Sequence, residues 1–249
     1  MKKLLTIIGA RPQIIKAAAL NRAIRTKFSE QLTEVLVHTG QHYDHGMSDV
    51  FFEEMGIPKP NYQLGIGSGS HGKQTGKMLE EIENVINLEK PDALVIYGDT
   101  NSTIAGSLAA SKLHLPVIHI EAGLRSYNKR MPEEINRITA DHASTLLYSP
   151  TNSGLQNLQK EGFLSLSNAK EQGKADINNP YVFHCGDLMY DNTLFYGEKA
   201  EEKPAFFTNN GIEKGNYVLS TIHRPQNTDD LNTLLGILTV LNEISEQEK

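Results

Sequence analysis

Short apolar runs alternate with longer stretches of helical period along most of the chain, and few folds accept that order. The runs Lys3–Ile8, Thr33–Val37, Ala93–Tyr97, Val117–Ile120, Thr145–Tyr148, Val182–His184 and Tyr217–Ile222 are rich in Val, Ile, Leu and Tyr and lack strict polar–apolar alternation. Strands buried on both faces of a parallel sheet have this pattern. Between the runs, Gln74–Asn87 sets Met78, Leu79, Ile82, Val85 and Ile86 on one helix face. Thr103–Leu113 is rich in Ala, Leu and Ser, and Asp230–Ile244 carries Leu231, Leu234, Leu235, Leu238, Leu241 and Ile244. The alternation predicts an α/β fold, a doubly wound parallel sheet with right-handed crossovers.

A chain of 249 residues holds one full core and part of a second. The polar stretch Leu164–Pro180 ends in Asn-Asn-Pro, a loop signature. It predicts an N-terminal domain over 1–170 and a second α/β unit over 181–249. Roughly 70 residues cannot complete a sheet with helices on both faces, so the second domain is expected to be unfinished. Lys and Arg total 24 against 30 Asp and Glu, a net charge of −6. That balance argues against nucleic acid or an anionic membrane as partner. One cysteine, Cys185, excludes a disulfide framework or a multi-cysteine metal site. The opening MKKLLTIIGARPQ has too short an apolar run for a signal peptide, and no run approaches a membrane span, so a cytoplasmic location is expected.

In open α/β sheets ligands bind beyond the carboxyl ends of the strands. Six successive strand ends carry Gly with Arg, His, Asp or Glu: GARPQ, HTGQHYDH, GDTNST, HIEAGLR, HCGDLMYD and STIHRPQ. Arg11, before Pro12 at a helix start, suits either a neighbouring carbonyl or an anion held with helix N–H groups. Asp99 is either a helix N-cap or a catalytic acid. Glu121 directly follows an apolar run, where a carboxylate must be paired or functional. Glu133 and Glu134 open a helix whose dipole favours them, and Glu133 can pair with Arg137 four residues on. His223 and Arg224 offer one switchable and one fixed cation for a phosphate or diphosphate. His42 and His45 are a weak metal pair, and His114, His119 and His142 read as structural or surface histidines. No G-x-G-x-x-G occurs, which argues against a classical NAD dehydrogenase. The residues alone point to acid–base chemistry on a phosphorylated or nucleotide-linked small molecule.

The strings GARPQIIKAA, HTGQHYD, YGDTNSTIAGSLAA, HIEAGLRS, MPEEINR, HCGDLMYD and STIHRPQN together resemble the non-hydrolysing UDP-N-acetylglucosamine 2-epimerases. The resemblance implies two Rossmann-like domains in a GT-B-type arrangement, no redox cofactor, no metal and a homodimer. It implies interconversion of UDP-N-acetylglucosamine and UDP-N-acetylmannosamine for envelope polysaccharides, by anti elimination of UDP and re-addition through a 2-acetamidoglucal. By motif, Asp99, Glu121, Glu133 and His223 fall on the family's catalytic residues, and Arg11 and Lys16 on its basic residues near the diphosphate. Gln41 and His42 match the start of its allosteric site, but the continuation YDHGMSDVFF is similar to branches acting on other UDP-N-acetylhexosamines, including diacetamido-uronic acid sugars. Family chains run on for more than a hundred residues, so a truncated chain with little turnover is expected. A GT-B glycosyltransferase shares the fold without needing three strand-end carboxylates, and a non-catalytic nucleotide-sugar-binding fragment has no use for acid–base groups.

Overall fold

The computed structural model describes residues 1–40, 52–163, 175–201, 205–213, 215–222 and 225–247. Seven parallel strands form one sheet: β1 (Lys2–Ile8), β2 (Leu32–His38), β3 (Tyr62–Gln63), β4 (Ala93–Tyr97), β5 (Val117–Ile120), β6 (Leu146–Ser149) and β7 (Tyr181–His184), in the order β3-β2-β1-β4-β5-β6-β7. The crossovers carry α1 (Arg11–Lys27), α2 (His71–Glu89), α3 (Asn101–Lys112), α4 (Pro132–His142) and α5 (Asn152–Lys160), and α6 (Leu188–Glu201) follows β7. The chain winds outward from β1 to β3, then returns to β4 beside β1 and winds outward the other way. The strand order therefore reverses between β1 and β4, which is where such sheets open a crevice.

Both faces of the sheet are covered, which is why the strands read as continuous apolar runs. On one face Leu5, Ile7, Val37, Leu94 and Ile96 pack against Met78, Ile82, Val85 and Ile86 of α2 and the alanines of α3. On the other, Leu4, Ile8, Leu36, Val95 and Tyr97 pack against Ile14, Ala17, Ala18 and Ile24 of α1. Small residues let α3 lie close: a Cβ on Gly106 would come 3.1 Å from Ile96. Among the described residues no helix is long and apolar enough to cross a membrane.

The chain separates into two compact units, Met1–Glu198 and Lys199–Lys249. Tyr181–His184, read from the sequence as the opening strand of a second unit, instead pairs with β6 in parallel. Edge backbone at β6 offers hydrogen bonds that a run after a polar loop can take, so the boundary falls within α6 and not in 164–180. The second unit, by itself, holds α7 (Ala205–Asn209), α8 (Pro225–Thr228) and α9 (Leu231–Gln247). Its run Tyr217–Ile222, expected as a strand, is not one: Val218 and Leu219 are 71% and 81% exposed. The unit's other described elements are helices, so this run meets no edge on which to form a ladder.

Candidate functional site

The site is built where β1, β4 and β5 end. Between β1 and α1 the backbone turns at Gly9–Ala10, and Gln13 fixes that turn. Its side-chain oxygen accepts from the N–H groups of Gly9 (2.8 Å) and Ala10 (3.1 Å), and its amide donates to the Tyr97 carbonyl (2.9 Å) and Thr103 Oγ1 (3.1 Å). Gln13 thus ties the β1 end to the β4 end. One turn further along α1, Lys16 is buried, with its Nζ in an ion pair to Glu121 Oε2. Arg11, the first residue of α1, is exposed at the helix start.

After β4, Gly98 takes a left-handed backbone (φ 62°) and leads to Asp99. The cap of α3 is Thr100, whose side chain accepts from the Thr103 N–H. Asp99 is therefore not the N-cap, and its carboxylate is free for other work: it pairs with Arg137 Nη2 at 2.5 Å. After β5, Glu121 also has positive φ (70°), a sparsely populated region for a non-glycine residue and one that marks functional turns. Arg137 holds that turn. Its Nη1 donates to the Glu121 carbonyl (2.5 Å) and its Nη2 reaches Glu121 Oε1 (3.2 Å). The result is a chain of alternating charge, Lys16–Glu121–Arg137–Asp99, drawn from α1, the β5 end, α4 and the β4 end.

Helix α4 starts at Pro132, and its first turn carries both acids. They part company in space. Glu134 is buried and accepts from Ser126 N (2.8 Å), Ser126 Oγ (3.0 Å) and Tyr127 N (2.9 Å), which occupies it in holding that loop. Glu133 is exposed and lines a cleft of about 220 Å³ with Asp99, Ser126, Met131 and Arg137. The ion pairs of Arg137 go to the strand-end carboxylates of Asp99 and Glu121, not to Glu133.

Asn136, on the same face of α4, donates to the Asp99 carbonyl (2.9 Å) and to Asn101 Oδ1 (3.2 Å). In MPEEINR, Arg137 was read only as the partner of Glu133, and Asn136 was not singled out. The usable signal is the three- and four-residue spacing from Glu133, which sets all three on one face. His38, at the end of β2, contributes no charge: burial pushes it down to about 4. Gln41, His42, His223 and Arg224 lie outside the described residues. Among the described residues no cluster of three or more His, Cys, Asp or Glu could hold a metal ion.

Three carboxyls here sit below their ordinary values. For Glu121, burial pushes up, but Lys16 and then Arg137 outweigh it. For Glu134, burial is outweighed by the donors of Ser126 and Tyr127, and for Asp141 by His119 and Arg125. A depressed carboxyl contributes stability that is present above its unfolded value and is lost as pH falls through its folded value. Thermal unfolding followed by circular dichroism is therefore expected to show a stable plateau near neutrality and a steep loss below about pH 4. A plateau persisting to pH 3 would contradict these ion pairs.

A family profile described as UDP-N-acetylglucosamine 2-epimerase matches residues 25–249. The chain is 51% identical over 242 residues to the UDP-2,3-diacetamido-2,3-dideoxy-D-glucuronate 2-epimerase of Pseudomonas aeruginosa, covering 97% of this chain and 63% of the relative. It is 44% identical over 247 residues to the UDP-N-acetylglucosamine 2-epimerase of Methanocaldococcus jannaschii, covering 98% and 63%. A crystal structure of the Methanocaldococcus jannaschii enzyme in complex with UDP-GlcNAc and UDP superposes with a TM-score of 0.77 at 41% identity, over 98% of this chain and 63% of that one. The chain thus spans under two thirds of the length of these relatives, and its Rossmann-like parallel sheet is the one their GT-B-type fold contains. With the profile covering most of its length, the chain belongs to the UDP-N-acetylglucosamine 2-epimerase family.

Proposed function

We propose that the protein inverts carbon 2 of a UDP-linked 2-acetamido sugar, interconverting UDP-N-acetylglucosamine and UDP-N-acetylmannosamine. The observation that carries this reading is the Lys16–Glu121–Arg137–Asp99 chain at the point where the strand order reverses. A base removes the proton at carbon 2, and that electron pair forms the bond to carbon 1 as its bond to the diphosphate oxygen breaks. The 2-acetamidoglucal stays in the cleft. UDP then re-bonds to carbon 1, and a proton is delivered to the other face of carbon 2. The electron pair of the carbon 1–oxygen bond leaves with UDP and returns with it, so there is no net oxidation and the route uses no redox cofactor.

Asp99, Glu121 and Glu133 supply acid–base groups from three different elements, as a two-face transfer requires. Lys16 and Arg11, with His223 and Arg224, stand for the diphosphate whose charge grows as it leaves. Gln41 and His42 belong to a regulatory site in this reading, and the protein works as a cytoplasmic homodimer. A second substrate, UDP-2,3-diacetamido-2,3-dideoxy-D-glucuronate, is favoured by the 51% identical relative whose name carries that sugar.

Incubation with each UDP sugar in heavy water, followed by proton NMR, separates these readings. Loss of the carbon 2 proton signal with manno-configured product is expected for one of the two. Exchange with the diacetamido-glucuronate alone would move the assignment to that substrate. No exchange with either, in a chain extended to the full length of these relatives, would overturn the epimerase reading.

A further inference from the structure

We infer that His119 and Asp141 form a buried positioning pair that locks together the two turns carrying Asp99 and Glu121, with a hydrogen on each ring nitrogen of His119. Its kinetic consequence rests on the epimerase reading above; its geometry does not.

His119 lies on β5, and both side chains are fully buried. Its Nε2 is 2.8 Å from the Gly98 carbonyl oxygen and its Nδ1 is 2.7 Å from Asp141 Oδ1. A peptide carbonyl only accepts. Asp141 Oδ2 already receives the Gly123 N–H (3.1 Å) and Arg125 Nη1 (2.7 Å), both of which favour the ionised carboxylate. A neutral imidazole donates from one nitrogen only and would set a lone pair against oxygen at the other. Both nitrogens therefore carry hydrogens. The charge is balanced nearby, since Arg125 also bonds Glu161 at 2.8 and 2.7 Å.

What the pair grips is the backbone of the site. The Gly98 carbonyl belongs to the peptide that joins Gly98 to Asp99. Gly123 lies two residues beyond Glu121 and has φ 82°. A side chain there is barred, since a Cβ would come 2.4 Å from the Gly154 carbonyl oxygen, so the turn depends on its hydrogen bonds for shape. Asp141 thus holds the Glu121 turn directly and the Asp99 turn through His119. Arg137, one helical turn earlier on α4, holds the side chains of the same two acids. One helix face secures both carboxylates twice, at backbone and at side chain.

Glutamine and asparagine dissect the two bonds. The amide nitrogen of His119→Gln takes the place of Nε2 and keeps the Gly98 bond; that of His119→Asn takes the place of Nδ1 and loses it. Exchange of the carbon 2 proton of UDP-N-acetylglucosamine is expected to lose about 100-fold in kcat in His119→Asn with little change in KM, and His119→Gln to recover about tenfold of that. In the unsubstituted protein, nitrogen-15 NMR at pH 7.5 is expected to show hydrogens on both ring nitrogens of His119. A single protonated nitrogen would overturn the inference. So would a folded His119→Asn protein with unchanged kcat, or two variants whose losses track only their fraction of folded protein. If the unsubstituted protein turns over neither UDP sugar, the NMR result alone decides the pair, and the epimerase reading is decided separately on a chain of the relatives' full length.

Discussion

Replacing Arg137 by methionine is expected to cut carbon 2 proton exchange by at least about 100-fold and to lower the unfolding free energy by about 3 kcal/mol. The guanidinium is 8% exposed and stands between Asp99 and Glu121. Without it, two carboxylates remain close together with Lys16 alone to balance them, and one of them must take up a proton to relieve the repulsion. An acid–base cycle that needs groups in opposite protonation states then starts from the wrong state. The Glu121 turn also loses the donor to its carbonyl. Arg137→Lys keeps the charge but not the fork, so it cannot serve both acids and the carbonyl at once, and it is expected to restore stability more than rate. Measured well below the melting temperature, folded Arg137→Met protein with unchanged exchange would remove the charge chain from the mechanism.

Lys16→Met is expected to be nearly as severe and to differ in its pH dependence. Burial pushes the Glu121 carboxyl up, and Lys16 is the largest influence bringing it down. With Lys16 gone, burial is opposed by Arg137 only, and the carboxyl rises. A base must be ionised to work, so the acid limb of the rate profile should move to higher pH while the alkaline limb stays. A loss of about 100-fold near neutrality is expected from the missing cation. A variant whose rate falls equally at every pH would mean that Lys16 serves the diphosphate without tuning Glu121.

The central strands were plain in the sequence because both faces of the sheet are covered, and β1, β4 and β5 fall within one residue of the apolar runs that announce them. β3 left no trace, since two residues cannot display a period. Tyr217–Ile222 has the composition of a strand, but none of the described residues of its unit forms a strand beside it, and composition reports burial preference only. At the site, Asp99, Glu121 and Glu133 were legible from their positions after strands and at a helix start. Arg137 was legible as a residue but not in its role: local spacing offers Glu133 as its partner, whereas its actual partners arrive from β4 and β5. His119 and Asp141 were invisible as a pair because they are joined across 22 positions by the packing of α4 on the sheet.

The reversal of strand order beside β1 also dictates when the site can come into being. Gln13 bonds Thr103, 90 positions away, and Lys2 bonds Asp92 at the same separation. As the chain emerges from the ribosome, β1 can align with β2 early, but its other edge waits for β4. Lys16 has no counter-charge until β5 follows, and Glu121 has no clasp until α4 docks. Parallel pairings of such long loop closure form slowly, so the floor of the candidate site is among the last parts of the first unit to assemble and, during any partial opening, among the first to come apart. Variants that slow the docking of α4 should therefore prolong a state with an open β1 edge, and be lost to aggregation before their chemistry is ever tested.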